Sequence, residues 1–167
     1  MTTSDTGLSL LDCLKEVSSL LEGAYKVSLK EQDALVKNDA EQLTLSCRAQ
    51  EEILRRICEV DQRATAVTHQ LAEETGLDLA EANADAVAEA AGFPYTNLIK
   101  HETKLISETA ERVQEANQIN AQLLRNGLDI IACCLRTLAT DMGPGVYSRN
   151  AGLYENRPQI LSLNRQA

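Results

Sequence analysis

The sequence predicts an all-α protein. A long antiparallel helical hairpin and a third long helix should form an elongated, coiled-coil-like bundle, with a short connector helix and a mobile C-terminal tail. Three observations carry this. Apolar residues recur at alternating three- and four-residue steps through three long stretches, the spacing that aligns them on one helix face. No proline occurs before Pro94, and none lies between Pro94 and Pro144. Finally, 44% of residues are hydrophobic but only 3% are aromatic, so Leu and Ala dominate; that mixture favours helices over sheets. Residues 1–142 are expected to form the bundle and 143–167 the tail.

The first helix is predicted over about 9–37. Leu10, Leu14, Val17, Leu21 and Ala24 make its stripe. Asn38 or Asp39 breaks the chain, and Asp39 with Gln42 is an Asp-x-x-Gln capping box for the second helix, 39–75. There Leu43, Ile53, Ile57, Val60, Ala64, Val67 and Leu71 keep the spacing, while Glu51–Arg55, Glu52–Arg56 and Glu59–Arg63 decorate a solvated face. So short a break between long helices predicts an antiparallel hairpin. Gly76 ends the second helix.

Asp78 and Glu81 form a capping box that predicts a short Ala-rich helix over 79–91, closed by Gly92 and Pro94. From Ala64 to Ile99 there is no Lys or Arg, against six acidic residues. The expectation is a solvated connector or lid, weakly docked because Ala buries little area. Thr96 is the expected N-cap of the third helix, 97–141, a rod of roughly 70 Å at 1.5 Å per residue. Its stripe reads Ile99, Thr103, Ile106, Ala110, Val113, Asn117, Asn120, Leu124, Gly127, Ile131, Cys134 and Leu138, a sustained heptad pattern. The tail has Pro144, Pro158, three glycines and three arginines against Glu155.

Composition excludes several functions. With 16 basic and 25 acidic residues the formal charge is −9, which disfavours nucleic acid and anionic membrane as partners. The few aromatics disfavour stacking on single-stranded bases. The longest markedly apolar charge-free run, Ile130 to Leu135, is far short of a membrane span, and the N-terminus shows no secretory pattern; a cytoplasmic protein is expected. Five cysteines without metal spacing, Cys13, Cys47, Cys58, Cys133 and Cys134, read as reduced and mostly buried thiols. His69 and His101 lack the Glu three residues earlier that a bundle di-iron site needs, since Ala66 and Leu98 stand there. No nucleophile elbow, phosphate loop or zinc motif occurs. The expectation is no enzyme, no metal and no cofactor.

Two features point to binding. Asn117 and Asn120 fall on consecutive seam positions, where an amide can fix register and partner choice at a cost in stability; the alternative is that both face solvent. The C-terminal half of the third helix is also apolar over too wide an arc. Leu124, Leu128, Ile131, Leu135 and Leu138 make one stripe, and Leu123, Ile130 and Cys134 a second beside it. The surplus either lies under the connector or first helix, or receives a helix from another protein.

The segment Asn117-Gln118-Ile119-Asn120-Ala121-Gln122-Leu123-Leu124 resembles the Asn-Gln-x-Asn-x-x-Leu-Leu signature in the last long helix of the FlgN family of flagellar type III export chaperones. Val146-Tyr147-Ser148-Arg149-Asn150-Ala151-Gly152 resembles that family's Tyr-Gly-x-Asp-Gly tail element, although Ser148 and Asn150 replace Gly and Asp and Ala151 is an extra residue. Lys37-Asn38-Asp39-Ala40-Glu41-Gln42-Leu43 resembles its inter-helix turn. The resemblance implies a cytoplasmic chaperone that binds the C-terminal amphipathic helix of hook-associated (junction) proteins, prevents premature assembly and delivers them to the export gate of the flagellar type III secretion system. It implies docking of Tyr147 to the gate's cytoplasmic domain, and it allows the export ATPase complex as a further partner. The substrate-binding candidates are Asn117, Asn120, Leu123, Leu124, Leu128, Ile131, Leu135 and Leu138. A filament-cap-type chaperone and a self-associating coiled-coil protein are the alternatives.

Overall fold

The computed structural model describes residues 3–141, with side chains to residue 138. Its four helices are α1 (Thr3–Lys37), α2 (Ala40–Thr75), α3 (Ala84–Ala91) and α4 (Thr96–Asp141); the described residues contain no strand. The chain divides into two compact units, Met1–Arg125 and Asn126–Ala167, and α4 runs from the first into the second.

The α1–α2 turn is built by three residues. Asn38 adopts the left-handed conformation at φ 54°, which Asn tolerates better than most residues. Asp39 is extended, and its carboxylate accepts from the Gln42 N–H at 2.9 Å. The Asp39 N–H in turn closes back on the Ala34 carbonyl at 2.9 Å. Each helix end thus gains a hydrogen bond within one tight turn, and the hairpin is antiparallel, as its short break demands. Across it Glu16 of α1 accepts from Arg63 at 2.8 Å and Arg56 at 3.4 Å. The hydrogen bond from Arg63 is the main reason the Glu16 carboxyl titrates below its ordinary range.

α1 and α4 run parallel. Tyr95 Oη donates to the Ser4 carbonyl, Arg112 pairs with Glu22 and Ser28 Oγ donates to Asn117, with sequence separations of 91, 90 and 89. Arg112 also lies 4.1 Å over the Tyr25 ring, so one side chain makes both a charged and a cation–π contact to α1.

The core of the first unit is apolar. Leu10, Leu11, Leu14 and Leu20 of α1 meet Val60 and Leu71 of α2, Val87 and Ala88 of α3, Phe93 and Ile99. The connector therefore does not sit loosely on the surface: Val87 and Ala88 are fully buried. The expectation of weak docking fails because two of the eight α3 residues are buried in the main core, where even small side chains gain close contact. The short helix also starts five residues after the expected position. Asp78 instead makes a local turn, accepting from the Ala80 N–H at 3.0 Å, and Asn83 is the N-cap, accepting from the Ala86 N–H at 2.9 Å. Thr96 is not a side-chain acceptor cap either. Its hydroxyl donates to the Phe93 and Ala88 carbonyls at 2.8 and 3.0 Å, tying the start of α4 to the end of α3.

Gly7 shows how closely the entrance to α4 is packed. The Phe93 and Tyr95 rings stack 5.0 Å apart, and a Cβ on Gly7 would meet atoms of both at 2.5 Å. Among the cysteines only Cys13 is buried, which raises its thiol pKa; Cys47, Cys58, Cys133 and Cys134 are exposed. The expected burial of most thiols is thus overturned, since these four lie on outward helix faces.

Candidate binding surfaces on the last helix

In the first unit α4 packs through Ile99, Ile106, Thr109, Val113, Ala116, Asn120 and Leu123, all buried or half-buried. This differs from the predicted stripe at Ala110, Asn117 and Leu124, which are exposed. Val113 and Asn120 keep their predicted places, and the alternate positions after Ile106 move one residue earlier, to Thr109, Ala116 and Leu123. Small side chains occupy two of the moved positions, Thr109 at 1% and Ala116 at 5% exposure.

The two asparagines share one partner. Ser28, fully buried on α1, donates its hydroxyl to Asn117 Oδ1 at 2.8 Å, and its carbonyl accepts from Asn120 Nδ2 at 2.8 Å. Asn120 Nδ2 also reaches Glu31 at 3.3 Å. Asn120 is only 7% exposed, and its Oδ1 has no hydrogen-bond partner. Asn120 is therefore a true seam residue, whereas Asn117 sits at the seam's edge. Ser28 and Glu31 were not singled out from the sequence. The available signal was position: Ser28 lies four residues beyond Ala24, where the α1 stripe continues.

Beside Asn117 a shallow groove of about 510 Å³ runs along the first unit, lined by Leu21 and by Ala110, Val113, Gln114, Asn117, Gln118 and Ala121. Its floor is mainly aliphatic and its polar groups are uncharged carboxamides. Leu124 is 49% exposed, while Leu123 is half-buried.

In the second unit the described part of α4 is apolar and exposed. Leu128, Ile131, Leu135 and Leu138 repeat at three- and four-residue steps on one face, with Ile130 and Cys134 alongside. Their exposure lies between 57 and 64% for Leu128, Ile130, Ile131, Leu135 and Leu138. Covering such a contiguous aliphatic stripe would remove a penalty that water imposes on each side chain. Asp129 and Arg136 are the charged residues among positions 126–138, so the stripe can meet another helix without burying charge. Tyr147 lies outside the described residues.

Among the described residues His69 and His101 are both exposed, and no three His, Cys, Asp or Glu side chains gather as a metal ion would require. No described helix is long and apolar enough to cross a membrane.

Among curated proteins and among solved structures, nothing matches the chain. The family model for the FlgN protein matches residues 6–155, which takes in all of α1 to α4 beyond the first three residues of α1 and extends past them. With nine-tenths of the sequence matched and the helical plan that the Asn117–Leu124 signature implied, the chain belongs to the FlgN family of flagellar export chaperones.

Proposed function

We propose that the protein is a cytoplasmic export chaperone that binds the C-terminal amphipathic helix of hook-associated junction proteins, keeps them from assembling early and delivers them to the flagellar type III export gate. The observation that carries this reading is the exposed aliphatic stripe of α4, Leu128, Ile131, Leu135 and Leu138. A cargo helix would lay its own apolar face on it, and each Leu or Ile removed from water is worth roughly 1.5–3 kcal/mol when fully buried. Binding, not turnover, is the activity, with no metal or cofactor. Occupying that face of the cargo would both solubilise it and delay its polymerisation. Tyr147 is the proposed contact to the cytoplasmic domain of the gate, because a tyrosine offers a large rigid ring together with a hydroxyl; the export ATPase complex is a further proposed partner.

The test is titration calorimetry with a synthetic peptide of a junction protein's C-terminal helix. Ile131→Glu and Leu135→Glu should each abolish measurable binding while helical circular dichroism is retained. Unchanged affinity in both variants contradicts the assignment. Tyr147→Ala should leave peptide affinity intact and weaken gate binding about tenfold, or about 1.4 kcal/mol. Equal losses in both assays would contradict that division of labour. The same uncharged stripe also suits a second copy of the chain. A dimer that persists at nanomolar concentration and refuses the cargo peptide would favour that second reading.

A further inference from the structure

The core of the first unit is not uniform along its length. Its large buried side chains, among them Leu10, Leu20, Val60, Leu71, Val87 and Ile99, come from α1 before residue 21, from α2 after residue 59, from α3 and from the start of α4. Toward the α1–α2 turn the buried positions are instead Ala24, Ser28, Ala34, Ser46, Ala116 and Asn120. No aliphatic side chain larger than Ala is fully buried there. Since apolar stabilisation scales with the area removed from water, this end is held by much less of it.

A polar layer crosses all three helices at the same end. Ser28 uses both its hydroxyl and its carbonyl on α4, through Asn117 and Asn120. Two acceptors in this region are buried without a partner, Asn120 Oδ1 on α4 and Gln50 Oε1 on α2. A buried unpartnered acceptor penalises the closed state, and it regains a hydrogen bond as soon as water can enter. Opening here therefore breaks few apolar contacts and repairs two unsatisfied groups, whereas opening at the other end would expose the main core.

We propose that the first unit opens locally at its Ser28 end, with the Ser28–Asn117–Asn120 hydrogen bonds as the latch, while the Leu10–Leu71–Ile99 end stays closed. Regions with little buried apolar surface are those that open below the global unfolding energy. In the open state the half-buried Leu21, Val113 and Leu123 offer their remaining surface along α1 and α4, a second aliphatic face that the closed state withholds. This inference stands apart from the cargo stripe of the second unit.

Hydrogen exchange with mass spectrometry on the full chain tests it, read in peptides internal to each helix. Amides of 24–35, 43–52 and 109–122 should exchange at least tenfold faster than those of 10–20, 60–72 and 99–106 under native conditions. Ser28→Ala removes the hydroxyl bond to Asn117 and should speed exchange about fivefold at the first set alone. Gln50→Leu replaces the unpartnered acceptor on α2, which is no part of the latch, with an aliphatic side chain and should slow the first set alone. Circular dichroism melts check that both variants are folded. Equal protection of the two ends, or variants that shift both ends together, would overturn the latch; should one variant fail to fold, the wild-type contrast and the other variant decide.

Discussion

At the scale of single residues, function and packing fall on different side chains. Gly7 is a packing residue. The Phe93 and Tyr95 rings occupy the space where its Cβ would stand, and Phe93 is itself buried, so its ring cannot swing aside into water. Gly7→Ala should therefore destabilise the protein by about 1–3 kcal/mol, the usual range for overpacking. Urea denaturation checks this, and a loss under about 0.5 kcal/mol would mean the rings adapt. This contact was not legible in the sequence, because it joins residues almost ninety positions apart. Asn120 was legible as a seam amide, but its partner was not. Nothing local to Ser28 announces that its carbonyl and hydroxyl both face α4.

At the scale of elements, the helices follow from local chemistry and their phases do not. The α1–α2 break was readable because Asp39 and Gln42 lie three apart and the cap they form is complete within one turn. Asp39→Ala should cost about 1 kcal/mol, in line with lost N-caps elsewhere, and Asp39→Asn should restore most of it. Thermal melts of the two variants measure the difference, and equal melting temperatures for both would remove the cap from the account. The start of α3 was misplaced for a physical reason. Asp78 and Asn83 can each cap a helix, and the choice between them is made by the burial of Val87 and Ala88 in the core, which is a tertiary effect. The one-residue shift of the α4 seam has the same origin, since periodicity alone does not weigh Thr109 and Ala116 against Ala110 and Asn117. Stripe arithmetic did identify the aliphatic surplus of α4, because an excess of apolar positions is a property of the helix itself.

At the scale of the whole molecule, the charge of −9 and the uncharged aliphatic stripe of the second unit serve different ends. Net charge of this size disfavours close approach of like-charged chains, whereas the stripe carries no charge of its own. Four of the five cysteines are exposed, and they divide usefully: Cys47 and Cys58 are on α2, Cys134 is on α4 beside the stripe, and Cys133 is on the opposite face of α4. The native thiols thus give a direct test of the proposed cargo contact. The most direct measurement is the rate of maleimide labelling at each cysteine, resolved by mass spectrometry, with and without the junction-protein helix. The account predicts that the bound helix slows labelling of Cys134, while Cys133 on the opposite face of α4 and Cys47 and Cys58 on α2 react at unchanged rates. Protection of Cys47 or Cys58 with Cys134 left as reactive as before would contradict it.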